Sequence, residues 1–146
     1  MTRITPEQLA ASGSESGEQK AVFCWASMPE QLQRYGPLLQ WMHAIPNGGK
    51  RDSVTAARMR AEGVKAGVAD IFLPVPARPI TATVRFCGLY IEMKRKNGKP
   101  SDISDEQKEF RDFVTANGYA WVCCFGWRHA AATIEAYLHE FVTHST

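Results

Sequence analysis

No apolar run in this 146-residue sequence approaches the roughly 18–20 residues that a membrane-spanning helix needs. The first 20 residues (MTRITPEQLAASGSESGEQK) are polar and lack the apolar centre of a secretory signal peptide. These two absences predict a cytosolic (cytoplasmic) protein with no membrane partner. The formal net charge is only +2, so nucleic-acid binding cannot be inferred from charge alone and must rest on local clusters of basic residues.

The four cysteines also lack a recognisable framework, because no pair shows C-x-x-C spacing. Cys123 and Cys124 are adjacent, and neighbouring residues of a strand point to opposite faces of a sheet. A polar N-terminus and a cytosolic location favour reduced thiols. We therefore expect four free, buried cysteines.

The composition, 45% hydrophobic and 22% charged, is that of an ordinary soluble domain. We expect an N-terminal arm or short helix over residues 1–13 and a single domain over residues 14–146. Capping patterns and apolar runs predict the order helix, strand, strand, helix, strand, helix, which is an α/β fold with a small mixed β-sheet flanked by helices. The predicted elements include helices from Thr5, from Ser16, over Pro29–Trp41, from Ser104 to Asn117 and over about Arg128–Val142, and strands over Val68–Val75, Ile80–Lys94 and Tyr119–Phe125.

Phe110, Phe113 and Val114 are expected on the buried stripe of the helix that follows Ser104. Trp41, Trp121 and Trp127 are expected to be core aromatics.

The strand sequence Leu89-Tyr90-Ile91-Glu92-Met93-Lys94 is the most informative segment for function. Alternation places its apolar residues on the core face and Tyr90, Glu92 and Lys94 on the other face. Glu92 and Lys94 then lie about 6.5–7 Å apart along the strand. A carboxylate there can hold a hard divalent cation, and the ammonium can lie beside the charge that develops at a phosphodiester. The alternative is a solvent-facing ion pair, which contributes little.

Asp70 begins a second apolar strand directly after a glycine turn, 22 positions before Glu92. If the two strands are neighbours, Asp70 and Glu92 lie side by side and supply two oxygen ligands to one cation, as Mg²⁺ prefers. The alternative is that Asp70 is only a turn residue.

Two further polar residues suit such a site. Glu18 shares a helix face with Val22 and Trp25, so its carboxylate is expected to point inward. There it could meet the metal directly or through water. The alternative is that Glu18 complements the dipole of its own helix. Gln107 could contact a phosphate or Lys94, but it is equally well explained as the third residue of a capping box that begins at Ser104. His43 could line the site, or it could be a histidine satisfied within a loop.

Three motifs in a fixed order resemble a known family: G-V-x-x-G-V-A-D over residues 63–70, I-E-M-K over 91–94 and S-D-E-Q over 104–107. They resemble the virus-type replication-repair nuclease (VRR-NUC) domain of the PD-(D/E)XK nuclease superfamily. The similarity runs from about Glu15 to Leu138 and includes His43 with the Pro46-Asn47-Gly48 stretch. One departure is Ala69, which replaces the proline that usually precedes the aspartate.

The resemblance implies a restriction-endonuclease-like core and a DNA endonuclease that uses Mg²⁺ or Mn²⁺. It implies that Asp70, Glu92 and the backbone carbonyl of Met93 bind the metal and that Lys94 positions or activates the attacking water. Supporting catalytic roles fall to Glu18 and Gln107. It also implies action on branched DNA such as four-way (Holliday) junctions, in phage or prophage replication and repair. Because one small domain with one site cannot cut both strands of a junction symmetrically, we expect a homodimer.

Two basic clusters support DNA as the partner. Lys94, Arg95, Lys96 and Lys99 lie within six positions directly after the predicted site, and a second cluster lies over residues 50–65. Phosphate contacts by such residues make binding steeply salt-dependent. The predicted DNA-binding residues are Asn47, Lys50, Arg51, Arg95, Lys96 and Lys99. The alternative for each basic cluster is a solvated charged face without a ligand. The alternatives for the protein as a whole are a non-catalytic nucleic-acid-binding module of the same fold, and a small structural or regulatory protein in which these charges form surface ion pairs.

Overall fold

The structure, a computed structural model, describes residues 2–46 and 52–142. Within these ranges the chain forms six α-helices, which we number in chain order. They are α1 (Pro6–Ala10), α2 (Glu15–Ala26), α3 (Pro29–Tyr35), α4 (Ser53–Ala61), α5 (Asp105–Ala116) and α6 (Trp127–Tyr137). Short 3₁₀-helices cover Gly36–Trp41, Pro100–Asp102 and His139–Phe141. The predicted capping boxes of Thr5 and Ser104 are both formed.

A four-stranded sheet lies at the centre of the fold. Its strands are β1 (His43–Ala44), β2 (Ile71–Leu73), β3 (Leu89–Lys94) and β4 (Ala120–Phe125), in the order β1-β2-β3-β4. The β1/β2 and β2/β3 pairs are antiparallel, whereas β3 and β4 are parallel. The predicted small mixed sheet flanked by helices is therefore confirmed.

The hydrophobic core lies on the face of the sheet that packs against α2 and α6. Leu89, Ile91 and Met93 are buried there, as the alternation of β3 predicts. Helix α5 packs against β4. The polar residues of β3 therefore lie on the face that α5 partly covers.

The strand predicted over Ile80–Lys94 is too long, because β3 begins only at Leu89. The chain turns after Pro79, with the Ala82 N–H donating to the Pro79 carbonyl at 3.0 Å, so the start of the predicted strand is not extended. The segment between β2 and β3 is instead held by an isolated bridge between Ala77 and Phe86 and by Glu140, whose carboxylate accepts from the backbone of Arg78 and the side chain of Arg85.

Two aromatic residues expected in the core are exposed. Phe113 is 68% exposed, because the buried stripe of α5 is narrow and runs through Val114 with Phe110 half-buried. Trp41 is 69% exposed at the end of a 3₁₀-helix. Trp127, by contrast, is buried as predicted. The helix predicted to reach Val142 ends at Tyr137.

All four cysteines are free, as predicted. Cys124 is buried in the core, whereas Cys87 is exposed, so the expectation that all four are buried is wrong. Among the described residues, no helix is both long and apolar enough to cross a membrane.

Candidate active site

Asp70 and Glu92 lie opposite each other on neighbouring antiparallel strands. The register pairs Ile71 with Ile91, so Asp70, one residue before β2, is opposite Glu92. Backbone bonds fix Asp70 on both sides: its N–H donates to the Ile91 carbonyl at 3.0 Å, and its carbonyl accepts from Ile45 at 2.8 Å. These bonds hold the Asp70 side chain beside Glu92, as the sequence predicts.

The Asp70 carboxylate is further oriented by β3. Its Oδ2 accepts a 2.7 Å hydrogen bond from the Met93 backbone N–H. The turn before Asp70 depends on Gly67, which has φ +85° and packs so closely against α5 that a Cβ atom would collide with the Glu106 carbonyl. The glycine turn therefore places Asp70 relative to β3 and to the first turn of α5.

Lys94 and Gln107 complete a connected polar group around Glu92. Gln107 Nε2 donates to Glu92 Oε1 at 2.8 Å, and Lys94 Nζ donates to Gln107 Oε1 at 3.2 Å. Lys94 Nζ also lies 3.6 Å from Glu92 Oε1. Glu92 is 2% and Lys94 7% exposed, so they are not a solvent-facing ion pair.

Gln107 has both of the roles that the sequence leaves open. Its Oε1 accepts from the Ser104 N–H at 2.9 Å, which is the capping-box bond, and the same oxygen accepts from Lys94. Its amide nitrogen remains free of the cap and donates to Glu92. The start of α5 is therefore joined directly to the carboxylate–lysine pair.

The second carboxylate oxygen of Glu92, Oε2, is buried without a compensating interaction: it has no hydrogen-bond partner among the described residues. Burial, followed by the nearby Asp70 carboxylate, raises the pKa of Glu92 from 4.5 to about 8, against the opposing effect of Lys94. Such an oxygen requires either a proton or a cation.

These residues fit a hard divalent cation. Two adjacent carboxylates, one of them with an unpaired buried oxygen, match the one or two carboxylates with which proteins usually hold Mg²⁺. No group of three His, Cys, Asp or Glu side chains that could hold a metal occurs in the described part of the chain. A predominantly protein-made metal cage is therefore absent from residues 2–46 and 52–142, and oxygen ligands from water and phosphate would have to complete the shell.

Cys123 neighbours Glu92 on β4, where the parallel register pairs the two residues. Burial, then the Glu92 charge, raises the pKa of the Cys123 thiol to about 11. The thiol is therefore protonated near neutral pH and adds neither charge nor a thiolate ligand to the site.

Glu18 points inward as predicted, but the structure places it elsewhere. Its Oε2 accepts a 2.7 Å hydrogen bond from the backbone N–H of Trp127, the first residue of α6. It lines a small cavity with Lys96 and Gly126 rather than the cavity that Asp70 lines. A buried carboxylate at a helix N-terminus satisfies an otherwise unpaired N–H and the helix dipole. Glu18 is thus a cap of α6, and its predicted role as a metal ligand is not supported by the geometry.

The cavity beside Asp70 is lined by five residues of α2 that the sequence analysis did not place at the site: Glu15, Ser16, Gln19, Lys20 and Phe23. It has a volume of about 810 Å³, and Asp70, Met93, Glu15 and Gln19 all line it. Glu15 and Gln19 are four residues apart and so share one face of the helix. That E-x-x-x-Q spacing in the first turns of α2 is the signal that could have identified them instead of Glu18.

The remaining predicted residues lie around this group or outside the described ranges. Arg95, Lys96 and Lys99 are exposed directly after Lys94. His43 is exposed on β1, and its ring contacts Phe72 rather than either carboxylate. Asn47, Lys50 and Arg51, predicted to bind DNA, lie outside the described residues.

The mixed sheet flanked by helices defines an α/β domain, with the carboxylate pair, lysine and glutamine grouped at one end of β2 and β3. A solved structure described as a VRR_NUC domain protein is similar to this chain, with 26% sequence identity and a TM-score of 0.65. The similarity covers 86% of this chain and 88% of that one. No family model matches the sequence, and no curated protein matches it either. The structural likeness confirms the predicted resemblance and supports a VRR-NUC domain, hence a nuclease-family domain, in this chain.

Proposed function

We propose that this chain is a metal-dependent DNA endonuclease that hydrolyses phosphodiester bonds with Mg²⁺ or Mn²⁺. The observation that carries the proposal is the half-buried Asp70 opposite the buried Glu92 across β2 and β3, with Lys94 Nζ 3.6 Å from Glu92 Oε1. A buried acid and a buried amine held this close to a second carboxylate are costly unless they serve a charged ligand. The nuclease-family likeness makes a phosphodiester the expected substrate.

Asp70, Glu92 and the carbonyl of Met93 are the residues that would hold the cation. When bound, a divalent cation supplies Lewis-acid polarisation of the phosphodiester and lowers the pKa of a water molecule. Gln107 fixes Glu92 Oε1 by its 2.8 Å bond, which leaves Oε2 for the cation. Glu92 must first release its proton, because its raised pKa favours the neutral acid in the metal-free protein.

Lys94 provides the positive charge and hydrogen-bond donors. An ammonium has three N–H donors, and the neighbouring Gln107 and Glu92 oxygens engage up to two of them. The remaining donor can orient the attacking water or stabilise negative charge on the phosphate. Its burial limits competition from bulk water and strengthens this interaction.

The exposed residues Arg95, Lys96 and Lys99 follow Lys94 and are suited to contact DNA phosphates near the cut. We propose a branched substrate such as a four-way junction, cut by a homodimer in phage or prophage replication and repair, in the cytosol of the host. The supporting argument for the dimer is that symmetrical cutting of a junction needs two sites. Gel filtration on and off DNA tests it: a monomer-sized species under both conditions would eliminate the dimer.

The deciding experiment is a cleavage assay on a synthetic four-way junction and a linear duplex, with Mg²⁺, with Mn²⁺ and with chelator. We expect metal-dependent nicking that Lys94→Ala abolishes and that Lys108→Ala, which removes an exposed lysine of α5, leaves intact. Salt-sensitive binding without nicking would instead indicate a non-catalytic DNA-binding module. Equal cutting of both substrates would remove the proposed preference for branched DNA while retaining the nuclease.

A further inference from the structure

Helix α2 forms the wall of the proposed site that lies away from Lys94. Successive residues of β3 point to opposite faces of the sheet, so Met93 lies in the core beside α2, whereas Lys94 faces α5 and bonds to Gln107 there. Asp70 borders both sides: it lies opposite Glu92, and it lines the cavity of about 810 Å³ together with Met93 and α2. This cavity therefore continues the Asp70–Glu92 site toward α2.

Lys20 is the basic residue of α2 that lines this cavity. Ser16, Lys20 and Phe23 all line it, and their spacing of four and then three residues places them on one stripe of the helix. The other ionisable side chains of the described lining are the carboxylates of Glu15 and Asp70. Among the described residues, Lys20 thus supplies the only positive charge on the cavity wall.

The ammonium of Lys20 is unpaired within the described structure. No Asp or Glu lies three or four positions from Lys20 along α2, which are the spacings at which ion pairs form on a helix. The exposed Lys108 of α5 differs in this respect, because its ammonium lies 3.8 Å from the Asp105 carboxylate. The charge of Lys20 is therefore available to an anion that enters the cavity.

The backbone of α2 holds Lys20 at a fixed place beside the sheet. Ala21 and Val22, the next two residues, are fully buried in the core. Glu18 is anchored to the start of α6 by its 2.7 Å bond to the Trp127 N–H. Only the side chain of Lys20 must therefore lose freedom when a ligand binds.

The anion expected in this cavity is a phosphate of the DNA backbone. A cation held by Asp70 and Glu92 would bind the phosphodiester that is cut, and the strand continues in both directions from that point. On the α5 side Lys94 supplies positive charge, whereas on the α2 side the carboxylates of Glu15 and Asp70 repel phosphate unless a positive charge offsets them. Lys20 is placed to supply that charge. At about 810 Å³ the cavity is within the range of about 300–1,000 Å³ that is typical of small-ligand sites, so a nucleotide with its phosphate can enter.

We propose that Lys20 binds the phosphate next to the one that is cut, so that the cleaved DNA strand passes along the cavity between α2 and Asp70. This inference rests on the proposed action on DNA and adds a residue that binds the substrate without touching the reacting atoms. Such a contact stabilises the ground state and the transition state equally, so it lowers KM and leaves kcat unchanged.

The first test is binding of a labelled duplex and a labelled four-way junction in chelator, measured by fluorescence anisotropy at about 50 and about 200 mM salt. Each phosphate contact adds about 0.9 to the slope of log affinity against log salt. The fourfold increase in salt should therefore weaken binding by wild type about threefold more than it weakens binding by Lys20→Ala. Lys20→Arg should restore the wild-type slope, and Lys108→Ala, which removes a lysine outside the cavity lining, should match wild type.

The second test locates the contact relative to the cut. Junctions that carry a single neutral methylphosphonate, one position at a time around the cut, are cleaved in Mg²⁺ or Mn²⁺. We expect the methylphosphonate next to the cut phosphate to raise KM for wild type at least about threefold, the same effect as one lost phosphate contact. It should have no further effect in Lys20→Ala, because both changes remove the same contact.

A salt slope in Lys20→Ala equal to that of wild type would overturn the proposal. A methylphosphonate effect of equal size in wild type and in Lys20→Ala would overturn it as well. Cutting by wild type together with an unchanged slope in Lys20→Ala refutes the Lys20 contact alone. If the slopes differ as expected but wild type never cuts, the nuclease is refuted while the contact between Lys20 and a phosphate stands.

Discussion

The replacement Glu92→Gln gives the sharpest test of the buried Glu92 carboxylate beside Asp70. Glutamine has the same shape, keeps an oxygen that can accept from Gln107 and cannot ionise. Because burial and Asp70 raise the pKa of Glu92 from 4.5 to about 8, the folded metal-free protein binds a proton that the unfolded chain has released. We therefore expect the pH dependence of stability, rather than the fold, to change in the variant.

The sign follows from proton linkage. Between pH 4.5 and about 8 the folded state binds more protons at Glu92 than the unfolded state does, so the free energy of unfolding falls as pH rises. The slope is at most about 1.4 kcal/mol per pH unit, which amounts to a loss on the order of 4 kcal/mol from pH 5 to pH 8. The loss levels off above the folded-state pKa.

The assay is urea unfolding of metal-free protein at several pH values from 5 to 8. We expect the difference in unfolding free energy between Glu92→Gln and wild type to grow with pH in favour of the variant. Glu109→Gln, which removes an exposed carboxylate of α5, should remain parallel to wild type. If Glu92→Gln is parallel as well, Glu92 is not a protonated buried acid and the electrostatic reasoning is wrong.

Three further predictions concern the same group of residues. The apparent Mg²⁺ affinity, measured by calorimetry, should rise about tenfold per pH unit up to about pH 8, because Glu92 must lose one proton to bind the cation. Glu18→Ala should lower the unfolding free energy by about 1–3 kcal/mol, since it leaves the Trp127 N–H unpaired, and should leave Mg²⁺ affinity unchanged. Gln107→Ala should lower kcat more than it weakens DNA binding, because Glu92 and Lys94 lose the side chain that joins them.

Each of these has an outcome that would contradict it. A Mg²⁺ affinity that is flat between pH 6 and pH 8 would mean that no proton leaves the site on binding. Loss of Mg²⁺ affinity in Glu18→Ala without loss of stability would make Glu18 a ligand rather than a cap. For Gln107, the matched variant is Gln107→Glu, which keeps an oxygen for Ser104 but has no donor for Glu92. Normal kcat in that variant would show that only the cap matters.

Local patterns predicted the parts of the site that depend on neighbouring residues in the chain. The alternation of β3 correctly placed Glu92 and Lys94 together on one face, and the glycine turn correctly placed Asp70 at the start of the adjacent strand. The sequence alone likewise predicted the capping box from Ser104 to Gln107. These features rest on strand alternation and on backbone geometry within a few residues.

Contacts between distant segments were not predictable in the same way. Helical periodicity shows that Glu18 points inward, but its partner is the N–H of Trp127, 109 positions later. The same periodicity cannot show that Glu15, one turn earlier and exposed, borders the cavity beside Asp70. Nor can the hydrophobicity of Trp41 or Phe113 reveal that each side chain is more than two-thirds exposed, at 69% and 68%. Tertiary packing decides these positions.

The double attachment of Gln107 makes the proposed active site depend on the first turn of one helix, α5. Helix termini are among the first segments to open when a protein is warmed, well before its central strands separate. Once that turn frays, Glu92 and Lys94 lose their common partner even though the apolar centre persists. The proposed nuclease activity should therefore be lost reversibly at temperatures below the melting point of the protein, and cooling should restore that activity.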